Sequence, residues 1–221
     1  DFGRVFVARE ALVQGQRRMA DDELAPSRSY LKVEEAYGVL GREPQPGETV
    51  CDLGAAPGGW SYSAAKRGAH VIAIDNGPLK GEVALDPLVT HLRVDGLTYL
   101  PRRPVDWMVC DIVEQPSRVA ALVGDWLALG WCAHCIFNLK LPMKKRWEEV
   151  GRAREIVADV GGKPIRQAVR LPVMQETSLR EALREIPGGR GLVVFAGSGR
   201  ARDDPPDLHV AMRSRKTRQR A

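Results

Sequence analysis

The residues best suited to chemistry fall where apolar runs stop. Thr49-Val50-Cys51 leads into Asp52-Leu53-Gly54-Ala55-Ala56-Pro57-Gly58-Gly59-Trp60, an acidic residue and a loop with three glycines before a helix start. Glycine lets backbone approach a bound molecule closely, and Gly58 and Gly59 open a helix whose first N–H groups are free to meet a ligand. Further acids close later runs: Asp75 after Val71-Ile72-Ala73-Ile74, Asp95 after Leu92-Arg93-Val94, and Asp111 after Trp107-Met108-Val109-Cys110. An acid ending the second strand can accept two hydrogen bonds from a ribose diol, and one ending the third can receive an exocyclic amine. Each Asp alone also suits a strand-end cap or turn. Asp52, Asp75 and Asp95 on three successive strand ends, at the side of the sheet where ligands bind, are harder to assign to turns. Lys140 stands in the apolar run Phe137-Asn138-Leu139-Lys140-Leu141, where an unpaired buried lysine would be costly.

Positioning these residues requires strands ending along one sheet edge. Strand patterns are read at 49–54, 70–75, 90–95, 105–111, 133–141, 165–170 and 192–196. Several are continuous apolar runs, as expected of strands covered on both faces. Helices are expected at about 29–40, after Pro57, after Pro116, over about 143–159 and over 176–185. Proline suits a helix's first turn, where no N–H is needed. Gly161-Gly162 ends the helix that follows Pro142. This alternation predicts an α/β fold with helices on both faces of a mostly parallel sheet. The glycine loop does not spell G-x-G-x-x-G, and no Lys-Ser/Thr follows its glycines, which argues against a dinucleotide fingerprint and a P-loop.

Asp-Leu-Gly followed by Pro-Gly-Gly-Trp resembles the S-adenosylmethionine (SAM) loop of RNA ribose methyltransferases. Three further segments resemble the FtsJ-type family of these enzymes: Pro26-Ser27-Arg28-Ser29-Tyr30-Leu31-Lys32-Val33-Glu34-Glu35, Asp111, and Phe137-Asn138-Leu139-Lys140. The run Asn138-Leu139-Lys140-Leu141-Pro142-Met143-Lys144-Lys145-Arg146 is similar to members that methylate a cytidine ribose of large-subunit rRNA. The resemblance spans about Ala25 to Val150. It implies a Rossmann-like, seven-stranded SAM-dependent methyltransferase fold whose last strand is antiparallel. It also implies SAM as cofactor, S-adenosylhomocysteine as product, no metal, rRNA as partner and the cytoplasm as location. Asp52, Gly54, Ala55, Pro57, Gly58, Gly59, Trp60, Asp75, Asp95 and Asp111 would form the cofactor site. Lys140 would be the base, Lys32 would position the acceptor hydroxyl, and Asp111 would orient Lys140 and complement the sulfonium. The family carries a fourth member, a Glu at the start of the last strand, where this chain has Gly191. Glu176 is the favoured replacement. That departure keeps a non-catalytic RNA-binding protein as an alternative.

The acceptor class follows from what surrounds Asp111. An enzyme methylating a base amine would carry Asp/Asn-Pro-Pro-aromatic there, and Asp111-Ile112-Val113-Glu114 does not. A cytosine-C5 enzyme needs a nucleophilic cysteine, and Cys110 precedes Asp111 and points the other way in a strand. An alcohol acceptor fits better, with a base methyltransferase as the more distant alternative. Lys144, Lys145 and Arg146, with Arg28, are read as a phosphate-contacting patch; a solvated helix start is the plainer account.

Composition bounds the rest. Hydrophobic residues at 44% and charged residues at 28% fit an ordinary globular domain. The formal charge of +5 is carried by the end of the chain, because Arg213, Arg215, Lys216, Arg218 and Arg220 account for all of it. The body is near neutral, so RNA contact needs a local patch. Cys132 and Cys135 form C-x-x-C, but no second pair completes a zinc site, so all four cysteines are read as reduced thiols. The chain opens on Asp1 without an initiator Met. Residues 1–24 are read as an extension left from a preceding domain, 25–200 as the catalytic domain, and 201–221 as a basic, disordered tail.

Overall fold

A computed structural model describes residues 21–142, 144–158, 192–197 and 209–212. Helix α1 (Tyr30–Leu40) precedes β1 (Thr49–Leu53), α2 (Gly59–Ala65), β2 (His70–Ile74) and β3 (Val89–Leu92). There follow β4 (Val105–Cys110), α3 (Pro116–Ala128), β5 (Cys132–Leu139), α4 (Arg146–Ala158), β6 (Leu192–Gly197) and β7 (His209–Met212). Among the described residues the sheet runs β3-β2-β1-β4-β5-β6-β7. Its first five strands are parallel, and β6 and β7 pair antiparallel beyond β5. The α/β fold with a parallel sheet is the one expected.

The strand expected at 165–170 and the helix at 176–185 lie outside the described residues. Residues 209–212, inside the stretch read as a disordered tail, instead form β7. The third strand also stops earlier than expected, at Leu92, so Asp95 lies beyond it in a turn.

Strand alternation divides the core between the two faces. Trp107, Val109 and Ile136 pack with Val33, Tyr37, Trp60 and Ala64 on the α1/α2 face. Met108, Cys110, Cys135, Phe137 and Leu139 pack with Val119, Val123, Trp126 and Val150 on the α3/α4 face. Each fully buried side chain of this size contributes about 1.5–3 kcal/mol of burial energy. All four cysteines are buried thiols outside any disulfide, and Cys51 and Cys110 serve as small core hydrophobes. Chain order reverses between β1 and β4, which lie side by side. At such a switch point two loops diverge and leave a crevice at the carboxyl ends of the strands.

Candidate active site

Register brings the reactive groups to that crevice. Leu53 pairs with Cys110, and Cys110 pairs with Phe137, so Gly54, Asp111 and Asn138 stand level across three strands. The Asp111 N–H donates to the Leu53 carbonyl at 3.1 Å, which continues the ladder one residue past β4. Asp111, Asn138 and Lys140 share the parity of Trp107, Val109 and Ile136. They therefore face α1, whose first turn carries Lys32.

Asp111 is the hub. Lys32 Nζ donates to its Oδ2 at 2.7 Å, while Lys140 Nζ and Asn138 Nδ2 both donate to its Oδ1, the latter at 2.6 Å. The side chains are 25%, 22% and 13% exposed for Lys32, Lys140 and Asp111, so each keeps some surface within reach of a ligand. Burial pushes the Lys32 ammonium below the usual lysine range, and Lys140 adds like-charge repulsion; the attraction of Asp111 only partly offsets these. Burial opposes the charge on Asp111, but Lys140 and Lys32 together overcome it and hold its carboxyl below the usual range. One carboxylate thus serves two amines, and burial weakens the hold of Lys32 on its proton. Such a pair can hold a hydroxyl between its nitrogens and deprotonate it.

The glycine loop is shaped as much by its neighbours as by any ligand. Gly54 has φ +81°, and a Cβ there would meet Ile112 Cγ1 at 2.8 Å. A Cβ on Gly59 would collide with Ser29 Oγ and come within 3.0 Å of the Tyr30 backbone nitrogen. The loop is therefore pressed against both the Asp111 segment and the start of α1. Trp60, expected in the cofactor site, is 2% exposed and donates from Nε1 to the Ser29 carbonyl at 2.9 Å. It ties α2 to the helix that presents Lys32. Ala55 is buried, with its N–H on the Ile74 carbonyl; Pro57 is half-buried and Gly58 is buried.

The strand-end acids differ in access. Asp52 is fully buried within β1; Ser61 Oγ donates to its Oδ2 at 2.6 Å, and its Oδ1 has no partner among the described residues. Burial, with the nearby Asp111 and Asp75, pushes Asp52 up to about 7. Asp75 follows β2 and takes one backbone N–H on each oxygen, from Ala56 at 3.0 Å and Gly77 at 2.7 Å, leaving lone pairs on both. Asp95 is exposed, with Oδ1 capping the Leu97 N–H.

The expected basic patch is only partly assembled. Lys144 and Lys145 are exposed, and they lie in the loop before α4, not in the helix. Arg146 begins α4. Arg28 is 75% exposed and paired with Asp21 at 2.8 Å. Glu176 lies outside the described residues. Two contributors went unread in the sequence. Asn138 carries the same strand parity as Lys140, and that N-x-K spacing is the signal that could have found it. Ser61 has no local signal pointing to Asp52.

Residues 25–126 match the FtsJ-like methyltransferase family, a stretch that contains Lys32, the glycine loop and Asp111. The chain is also similar to curated proteins named ribosomal RNA large subunit methyltransferase M. That of Azoarcus sp. (strain BH72) is 54% identical over 139 residues, covering 60% of this chain and 38% of the relative. That of Alkalilimnicola ehrlichii is 46% identical over 183 residues, covering 80% of this chain and 51% of the relative. The chain thus spans about half or less of the length of these relatives. A crystal structure named for a hemolysin of Lactococcus lactis aligns at TM-score 0.54 and 15% identity, over 63% of this chain and 77% of that one, and shows the fold alone.

Proposed function

We propose that the protein is a SAM-dependent RNA 2′-O-ribose methyltransferase acting on a cytidine of large-subunit rRNA in the cytoplasm. The observation that carries this reading is the convergence of Lys32 and Lys140 on Asp111 at the β1/β4 crevice. The names of the relatives support the substrate class, and the FtsJ-like family supports the reaction.

The residues fit SAM. Asp75 keeps lone pairs for a ribose diol, and exposed Asp95 keeps an oxygen for an adenine amine. Asp52, buried two residues before Gly54 with an orphan oxygen, would be drawn toward its charged form by a ligand ammonium nearby. Bound there, SAM would supply an electrophilic methyl group. The chain's own part is to make a hydroxyl nucleophilic. The family pattern makes Lys140 the acceptor of the ribose proton, while Lys32, whose proton affinity burial lowers, holds the oxygen and Asp111 aligns both amines. Lys144, Lys145, Arg146 and Arg28 contact phosphates, and Glu176 completes the catalytic set.

The test is transfer of labelled methyl from SAM to large-subunit rRNA taken from cells lacking the modification. The expected product resists alkaline cleavage at one nucleotide, because a methylated 2′ oxygen cannot attack the neighbouring phosphate. Label on a base, or full activity in Lys140→Arg, would overturn the reading, since guanidinium stays protonated.

A further inference from the structure

We infer that Asn138 is a positioning residue for this reaction: its amide holds the Asp111 carboxylate turned so that one oxygen serves Lys32 and the other Lys140. The inference rests on the ribose methyltransferase reading and extends it to a residue outside the Lys-Asp-Lys set. Asn138 lies in β5 at 1% exposure, directly across from Asp111 and two residues before Lys140. Its Nδ2 donates to Asp111 Oδ1 at 2.6 Å, the same oxygen that receives Lys140.

Its other polar atom shows that packing alone does not account for it. Asn138 Oδ1 is buried and has no partner among the described residues. Leaving such an acceptor unsatisfied costs about 1–3 kcal/mol, which a leucine of similar shape would avoid. The amide's orientation is also dictated: an ionised carboxylate only accepts, so the nitrogen must face Asp111. The lysines cannot hold the carboxylate themselves, because their ammonium groups sit on flexible four-carbon stems. Asn138 has a short side chain anchored in the sheet. Without its donor, the carboxylate is free to rotate and bind one amine with both oxygens, leaving the other misplaced. A misplacement of about 1 Å in such a site can reduce the rate about 100-fold.

The experiment compares full-length native protein with Asn138→Leu and Asn138→Asp. It follows kcat, KM for rRNA, the SAM dissociation constant, thermal stability, and the titration of Lys32 Nζ by NMR. The groups facing Asp111 are Lys32 from α1, Asn138 and Lys140 from β5, and Asp52 from β1. In both variants kcat should fall at least about tenfold with KM and SAM affinity within twofold, the split expected when only transition-state geometry is lost. Lys32 should titrate at higher pH, more so in Asn138→Asp, because the carboxylate charge is no longer shared with an amide donor. A kcat within twofold of native in Asn138→Leu, or a loss of kcat that merely parallels lost stability and SAM affinity, would overturn the proposal. Absence of methyl transfer by the native protein would sink the functional reading instead. The Lys32 titration would then still decide the role of Asn138, an unmoved titration overturning it.

Discussion

Helix α1 contributes to two ion clusters of opposite design. At Asp111 one carboxylate is shared by two amines; at the other cluster one guanidinium is shared by two carboxylates. Arg67 donates to both oxygens of Glu34 at 2.6 Å and to Glu43 at 2.8 Å, and its guanidinium lies 4.8 Å from the Tyr37 ring centroid. Burial works against the Arg67 charge, but Glu34 and Glu43 raise it above its ordinary value. Burial likewise opposes the charge of Glu34, and Arg67 and Ser63 pull it down. Arg67 and Glu34 are each held in the charged form, as suits a bidentate structural clamp. At Asp111 the surplus is on the side of lysine, the group that can lose a proton when desolvated, and Lys32 is displaced that way. An ion cluster in this fold is thus reactive or inert according to which partner is in excess and whether that partner can titrate.

The largest effect is expected at the reactive cluster. Lys140→Ala should lower methyl transfer by about 10²–10⁴-fold, the usual contribution of a general base, with the SAM dissociation constant nearly unchanged. Calorimetry with SAM beside a single-turnover assay separates the two. Equal loss of affinity and rate would mean that Lys140 is a cofactor ligand.

Asp52 tests whether the crevice carries negative charge reluctantly. Its folded pKa of about 7 lies above the unfolded value of 3.8, so the folded state holds a proton over that interval. Stability should therefore fall as pH rises from 4 to 7, by an amount on the order of a few kcal/mol. Asp52→Asn should flatten this slope in urea unfolding at pH 5 and pH 8. Equal slopes in the two proteins would place the pH dependence elsewhere.

The inert cluster should respond in stability alone. Arg67→Met leaves Glu34 and Glu43 without their shared partner and should cost about 2 kcal/mol, less than a fully buried pair because both sides remain partly exposed. SAM affinity and kcat should stay within twofold. A catalytic defect at unchanged stability would break the contrast between the clusters. The smallest effect belongs to the exposed loop, where Lys144→Ala and Lys145→Ala should each reduce the salt slope of RNA binding by about 1. An unchanged slope would show these lysines to be merely solvated.

Much of the site was legible along the chain because its parts end strands or open a helix. Glycine loop, strand end and lysine in an apolar run are local patterns, set by steric freedom, β periodicity and the cost of burying an amine. They gave Gly54, Asp75, Asp111 and Lys140 their places before any fold was known. Asp95 was located less well: only sheet pairing shows that β3 stops at Leu92 and leaves it in the following turn. Trp60 read as a loop residue that could touch ligand, and became a buried strut, because nothing local reveals that Ser29 lies beside it.

By itself the sequence determined the alternation of strands and helices and the kinds of side chain delivered to the sheet's carboxyl edge. Tertiary structure alone decided that Lys32, Asn138 and Lys140 share one carboxylate. It also decided that Asp52 is buried against Ser61 and that Arg67 satisfies two acids far along the chain. Periodicity and turn chemistry act over a few residues. The 2.7 Å contact between Lys32 and Asp111 joins positions 79 residues apart, and its existence depends on strand order and on the face where α1 packs.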